Sequence, residues 1–250
     1  MKLDKQFHYA STPHRSIPIL HRFDASLKQI ESAIVNDAQL RRSCASAEFG
    51  IEDARVFVWR DAVWGIAAGI SPAPHGGLKA TQILFRMDGS DIVEFHELQS
   101  PNKSNMEKNW VPLVADDTLY LLYGICPYVV FAYEDGQLKA IRGPVAQDNK
   151  FALRGSSQFI PVKEKYVGVC HFERTEVEDK YYYRHVFVVI NKHLDLEQIS
   201  EPFFIQRKGV EFCCGLSRYD DGLLLSYGVM KLNSAFCLVP FSELSKWIVV

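Results

Sequence analysis

One pattern recurs four times along this chain and limits what it can fold into: a short strand, a polar turn, then a more apolar strand. The first copy runs Arg55-Val-Phe-Val-Trp59, turns at Arg60-Asp61 and returns as Val63 to Ala67. The second is Pro112 to Val114, Asp116-Asp117, then Leu119 to Tyr123. The third is Phe159 to Val162, Lys163-Glu164, then Tyr166 to Cys170, and the fourth is Gly215 to Ser217, Asp220-Asp221-Gly222, then Leu223 to Tyr227. Apolar runs of this length around short polar turns read as β-hairpins.

Each hairpin is followed by a further strand pair: Thr81 to Arg86 with Ile92 to Leu98, Tyr128 to Tyr133 with Leu138 to Arg142, His185 to Ile190 with Ile199 to Ile205, and Ala235 to Pro240 with Trp247 to Val250. Four strands repeating roughly every 50 residues is the arithmetic of propeller blades. The expected fold is all-β, a single β-propeller domain over 1–250, with blades at about 47–100, 107–148, 154–205 and 209–250. Ile17 to His21 reads as a strand of an incomplete first blade, about 14–46, which makes the expectation five-bladed. One helix is expected between Ser26 and Arg42, where Leu27, Ile30, Ile34 and Ala38 share a face. A β-sandwich of the same strand count is the structural alternative.

Composition narrows the function classes. With 48% hydrophobic and 12% aromatic residues among 250, the chain can bury a sizeable core. A formal net charge of −2 without a basic stripe gives no footprint for nucleic acid. The N-terminus lacks the apolar stretch of a signal peptide, and the most apolar run, Leu119 to Tyr133, is short and cut by Gly124 and Pro127. Six cysteines without a Cys-x-x-Cys pair sit mostly in strand-like runs, so a cytoplasmic, reduced protein is expected. No His, Cys and carboxylate spacing suits zinc, and no phosphate loop, Gly-x-Ser-x-Gly elbow or dinucleotide fingerprint occurs. No cofactor is expected.

The chemistry-bearing residues concentrate just before each inner hairpin. The four lead-in segments are Phe49-Gly-Ile-Glu52-Asp53-Ala-Arg55, Glu107-Lys108-Asn109-Trp110, Arg154-Gly-Ser156-Ser157-Gln158 and Gly209-Val-Glu211-Phe-Cys-Cys-Gly215. In a propeller the innermost strands line the central channel, so their starts converge at one mouth. Charged residues before a strand are also ordinary loop formers, and for any one segment that reading stands beside the functional one.

The first segment resembles the Glu-Asp-Pro-Arg blade motif of five-bladed glycosidase-type propellers, particularly the β-mannoside phosphorylases and the related β-1,2-mannosyltransferases. Ala54 stands where that motif has proline. Later segments, including Glu-Lys-Asn-Trp, Leu-Arg-Gly-Ser-Ser-Gln, Tyr-Tyr-Arg-His and Gly-Val-Glu-Phe-Cys-Cys-Gly-Leu, resemble propeller modules of bacterial glycan-assembly proteins. The resemblance spans about residues 47–240. It implies glycosyl transfer or phosphorolysis on a mannoside-like sugar by inverting displacement, with Asp53 as general acid/base.

Read from the residues alone, Asp53 has two roles open to it. Strand alternation puts Asp53 and Arg55 on one side and Glu52 on the other, which permits either a catalytic carboxyl or a structural ion pair. Lys108, Arg154, His171, Arg184 and His185 are candidates to hold phosphate, a nucleotide diphosphate or sugar hydroxyls. Glu107, Asn109, Gln158 and Glu211 are candidate hydroxyl partners. Trp110 and Tyr227, with Tyr123 and Tyr183, can stack on a pyranose or serve as core. His171, inside an apolar strand, is either a core histidine or channel-facing. The expected partner is a sugar or glycan, with phosphate or a nucleotide sugar as co-substrate; the alternative is a non-catalytic module binding a glycan or a protein.

Overall fold

A computed structural model describes residues 15–250 apart from 75, 100, 103, 146–150 and 176–180. The signal-peptide reading of the N-terminus therefore falls largely outside the described residues.

The chain opens with a hairpin, β1 (Ile19–Phe23) and β2 (Gln29–Ile34), followed by a short helix, α1 (Ala38–Ser43). Four sheets follow in sequence. Sheet I comprises β3 (Ile51–Trp59), β4 (Ala62–Pro72), β5 (Leu78–Asp88) and β6 (Asp91–Glu97). Sheet II comprises β7 (Val111–Ala115), β8 (Thr118–Ile125), β9 (Tyr128–Glu134) and β10 (Gln137–Val145). In sheet III the inner position is shared by β11 (Arg154–Gly155) and β12 (Ile160–Val162), which both pair with β13 (Lys165–Thr175); β14 (Tyr181–Asn191) and β15 (Leu196–Ile199) lie outside. Sheet IV has three strands, β16 (Glu211–Tyr219), β17 (Gly222–Val229) and β18 (Asn233–Pro240), and a last short helix, α2 (Phe241–Leu244), follows.

The hairpins form where the turn residues tolerate left-handed backbone. Arg60 and Asp61 have φ of 50° and 55°, and Asp116 and Asp117 have 47° and 61°. Two consecutive residues with positive φ suit the right-handed twist of the flanking strands. Alternation then decides which face goes where. In β4, Ile66 packs toward sheet II with Trp59, Trp110 and Leu119, while its neighbour Ala67 packs toward Val35, Leu40 and Ala47 of the N-terminal segment. Sheets II and III meet over Leu113, Val130, Phe159, Phe172 and Val188; sheets III and IV meet over Val169, Phe187, Leu216 and Leu225. Each such side chain, fully buried, contributes about 1.5–3 kcal/mol from area alone.

The inner strands close a ring: β3 touches β7 and β16, β12 touches β16, and Leu113 bridges Phe159 between sheets II and III. This is a β-propeller arrangement of four sheets, not five blades, and not a sandwich. The segment expected to form a first blade supplies only the two-stranded hairpin and α1. It lies where sheets IV and I meet: Phe23 stacks edge-on with Phe236, the Tyr219 hydroxyl donates to Ala25 O at 2.6 Å, and Asn36 bridges Asp91.

Two further expectations fail for local reasons. The helix over 26–42 is replaced by β2 and the six-residue α1, because Asp24 accepts from the backbone N–H groups of Ser26 and Lys28 and folds the chain into a hairpin turn. Residues 247–250 do not form a fourth strand of sheet IV, since α2 turns the chain away after Pro240. Among the described residues no helix is long and apolar enough to cross a membrane.

Candidate functional site

The four lead-in segments do converge, and they converge on Arg55. Its side chain is 0% exposed. Nε donates to Ser156 O at 2.7 Å, one terminal nitrogen donates to Asp53 O, and the other donates to Asn109 Oδ1 at 3.0 Å and Gly155 O at 3.3 Å. The guanidinium carbon also lies 5.5 Å from the centre of the Phe212 ring. One planar cation thus ties sheet I to the lead-ins of sheets II, III and IV. Burial pulls its pKa down, and the Asp53 charge opposes that shift. Gly155 is needed at this point, because a Cβ there would sit 2.3 Å from Asn109 O.

Asp53 is displaced from the position that strand alternation assigns it. The β3–β4 register shifts between Glu52 and Arg55, and Asp53 has φ of 54°. An inserted residue of this kind re-aims its side chain. Asp53 turns its carbonyl to Arg55 and leaves its carboxylate exposed, with no hydrogen bond or ion pair among the described residues. Glu52 is exposed as well, and there accepts from the Ser16 hydroxyl at 2.7 Å.

Beside the clamp a cavity of about 450 Å³ is lined by Lys108, Asn109, Tyr123 and Arg154, with Met106 and Leu153 among its apolar walls. Lys108 and Arg154 are exposed, whereas Asn109 is buried and held at φ of 66°. His171 lies close enough to these cations to feel them. Its pKa is driven well below 6.5 by burial first, then by its coupling to His185 and by the charges of Arg55, Arg154 and Lys108. The cavity is therefore cationic; Asp53 does not line it, and its charge is felt instead by Arg55 and Cys214.

The remaining candidates are engaged by the protein itself. Glu107 is buried and accepts from Trp110 Nε1 at 3.1 Å and the Tyr123 hydroxyl at 3.2 Å. Trp110 and Tyr227 are core residues. The Gln158 amide pairs with the Leu216 backbone, donating to O at 2.6 Å and accepting from N at 3.3 Å, which laces sheet III to sheet IV. Arg184 donates to Pro202 O and covers the Phe204 ring. Glu211, 0% exposed, accepts from the N–H groups of Ile205, Gln206 and Arg207. A Glu211→Ala variant leaves these donors unpaired and is expected to lose about 3 kcal/mol of stability, read as a lowered urea midpoint; an unchanged midpoint would contradict the assignment.

His171 and His185 are core residues. His171 Nδ1 lies 2.7 Å from Ser156 Oγ, a buried pairing across sheet III that local sequence did not suggest. His185 Nε2 accepts from the Cys213 N–H at 3.3 Å, and burial holds its pKa at about 4. Both are neutral in the fold, while in the unfolded chain they protonate near 6.5. Below that value the unfolded state binds protons the native state refuses. The stability they contribute is complete above 6.5 and drains away as pH falls toward the folded-state values. The expected slope is about 1.4 kcal/mol per pH unit for each histidine. Denaturation midpoints measured between about pH 7.5 and about pH 5.5 would check it, and a flat profile would contradict it.

Burial raises the pKa of Cys170, Cys213 and Cys214 around the clamp, so these thiols stay protonated. Among the described residues no cluster of His, Cys, Asp and Glu is arranged to hold a metal ion.

No protein-family model matches this chain, and no curated protein matches its sequence. Solved structures do match its fold, that of a β-propeller. The β-1,2-mannobiose phosphorylase from Listeria innocua superposes with a TM-score of 0.55 at 18% identity, over 79% of this chain and 60% of that one. A GDP-Man-dependent mannosyltransferase from Leishmania mexicana gives 0.54 at 15% identity, over 76% and 68%. A glycosyl hydrolase from Bacteroides ovatus gives 0.56 at 12%, over 86% and 72%. The chain thus spans about three fifths of the length of the phosphorylase it matches.

Proposed function

We propose that this protein is a carbohydrate-active enzyme that transfers a mannoside-like glycosyl group with inversion, Asp53 acting as general acid/base. The observation that carries the reading is the exposed Asp53 carboxylate, free of side-chain hydrogen bonds among the described residues and held on a bulge beside the Arg55 clamp, where the lead-in segments meet. The shared fold with a mannobiose phosphorylase and a mannosyltransferase supports it.

In phosphorolysis, a phosphate oxygen attacks the anomeric carbon as the glycosidic C–O bond breaks from the opposite face. The departing alcohol takes the proton that Asp53 supplies. Lys108 and Arg154 offset the charge of the phosphate, and Asn109 offers a fixed amide beside them. With a nucleotide sugar the proton runs the other way: Asp53 accepts it from the attacking hydroxyl, and the same cations hold the leaving diphosphate. Incubating the protein with β-mannobioses and phosphate, and separately with mannose-donating nucleotides and a mannoside acceptor, tests the reading. Product that disappears in Asp53→Asn is expected.

A second reading, a propeller that binds a glycan or protein without turning it over, draws on one observation. Glu107, Gln158 and Glu211 are committed to holding the fold. On that reading Asp53→Asn leaves glycan binding and function unaltered.

A further inference from the structure

Sheets I, II and III each end in an outer strand that carries charge: Glu94 in β6, Arg142 in β10 and Glu197 in β15. Sheet IV stops one strand earlier, at β18, and the sequence of that edge, Asn-Ser-Ala-Phe-Cys-Leu-Val-Pro, holds no charged residue. Among the described residues β18 pairs with β17 alone. An edge strand presents a row of N–H and C=O groups to any strand that meets it, and charged side chains are the usual guard against such pairing. Over its eight residues β18 has no such guard, and only Pro240, at its last position, withholds a donor.

The exposed face of this edge is apolar. Ala235, Cys237 and Val239 pack toward the core between sheets III and IV, whereas Phe236 is 40% exposed and Leu238 46%. Phe23 of the N-terminal hairpin meets Phe236 edge-on at 4.9 Å and joins a second apolar face to the first. Ile19 and Ile34 are cross-strand partners in that hairpin, and both they and Ile30 are more than half exposed. At about 150–200 Å² for a fully exposed large side chain, these six residues show roughly 500 Å² of apolar surface. A standard dimer buries about 800 Å² on each partner, of which about 60% is apolar, so the patch has the area that a stable dimer needs.

What separates a second copy from another partner is the order of residues along β18. Read outward from Cys237, the strand gives Phe236 then Ala235 in one direction, and Leu238 then Val239 in the other. Antiparallel pairing about a two-fold axis at Cys237 therefore sets Phe236 opposite Leu238 of the second copy, and Ala235 opposite Val239. Apolar meets apolar at each step, and no like charges are brought together. We propose that β18 pairs with β18 of a second copy of this chain, joining two three-stranded sheets into one across a homodimer. A two-fold contact uses the same edge on both copies, so assembly stops at the dimer. β18 is the outermost strand of its sheet, away from the axis, and the pairing is independent of any turnover there.

Sedimentation equilibrium of the full chain tests the pairing. The wild type is expected to associate reversibly to a dimer in the micromolar range or tighter, as interfaces of this size do. Leu238→Lys and Phe236→Glu are each expected to weaken that association about tenfold or more, by setting a charge against an apolar neighbour. Both positions are partly exposed, so the far-ultraviolet circular dichroism of the dilute variants should match the wild type. An equimolar mixture of the two variants is expected to associate more tightly than either alone, since the antiparallel register brings the introduced lysine opposite the introduced glutamate. A wild type that stays monomeric at about 1 mM, a dimer that Leu238→Lys leaves intact, or a mixture no tighter than its components overturns the proposal.

Discussion

Replacing Arg55 by alanine is expected to cost the protein about 4 kcal/mol or more, a large part of the 5–15 kcal/mol that a domain typically has. The substitution removes a fully buried side chain and strands Asn109 Oδ1 and the carbonyls of Asp53, Gly155 and Ser156 away from water. Each orphaned acceptor costs about 1–3 kcal/mol, and the vacated volume adds to it. Because those acceptors belong to three different lead-in segments, the loss falls on the ring itself and not on one strand. Arg55→Lys keeps the charge but not the planar fork, so an intermediate loss of about 2–3 kcal/mol is expected. Urea denaturation followed by circular dichroism measures both. A loss under about 1 kcal/mol for the alanine variant would mean that the ring does not depend on the clamp.

Arg55 also shows what could be read from sequence and what could not. That four polar segments precede the inner hairpins, and therefore meet at one mouth, followed from periodicity and turn chemistry; the structure brings all four to one guanidinium. Which side chains face the mouth did not follow, because alternation along β3 is broken by the bulge at Asp53, and no residue type announces a bulge. Glu211 looked like a hydroxyl partner, but the backbone of 205–207 folds over it, a local arrangement with no sequence signature. Ser156 and His171 lie fifteen residues apart and become neighbours only through the β11–β13 pairing. The sheet count was misjudged because a lone apolar strand at Ile19 looks the same in a hairpin as in a blade; what decides is whether enough chain follows to add outer strands.

The second large effect expected is on chemistry. Asp53 makes no side-chain hydrogen bond among the described residues, so Asp53→Asn removes a proton carrier and the charge that acts on Arg55, and no hydrogen bond. The backbone carbonyl that serves Arg55 is kept, and asparagine tolerates the left-handed φ of 54° as well as aspartate does. Stability should fall by about 1 kcal/mol or less, because the Asp53 charge that offsets the burial of Arg55 is lost while the fold's hydrogen bonds are kept. Turnover should fall by about 10²–10⁴-fold, the usual contribution of a positioned acid or base. Lys108→Ala and Arg154→Ala should instead weaken the hold on phosphate or diphosphate while the protein stays folded, because both side chains are exposed.

The most direct measurement is the rate of glycosyl transfer by the wild-type protein and by Asp53→Asn, compared at matched folded fraction, with β-mannobiose and phosphate in one assay and a mannose-donating nucleotide with a mannoside acceptor in the other. Product from the wild type in one of the two, with inverted configuration at the anomeric carbon and loss of about 10²-fold or more in the variant, is the result expected of an axial glycosyl-transfer site. Equal rates in the two proteins, or no product from either alongside unaltered glycan binding, would contradict it and leave the propeller as a binding module.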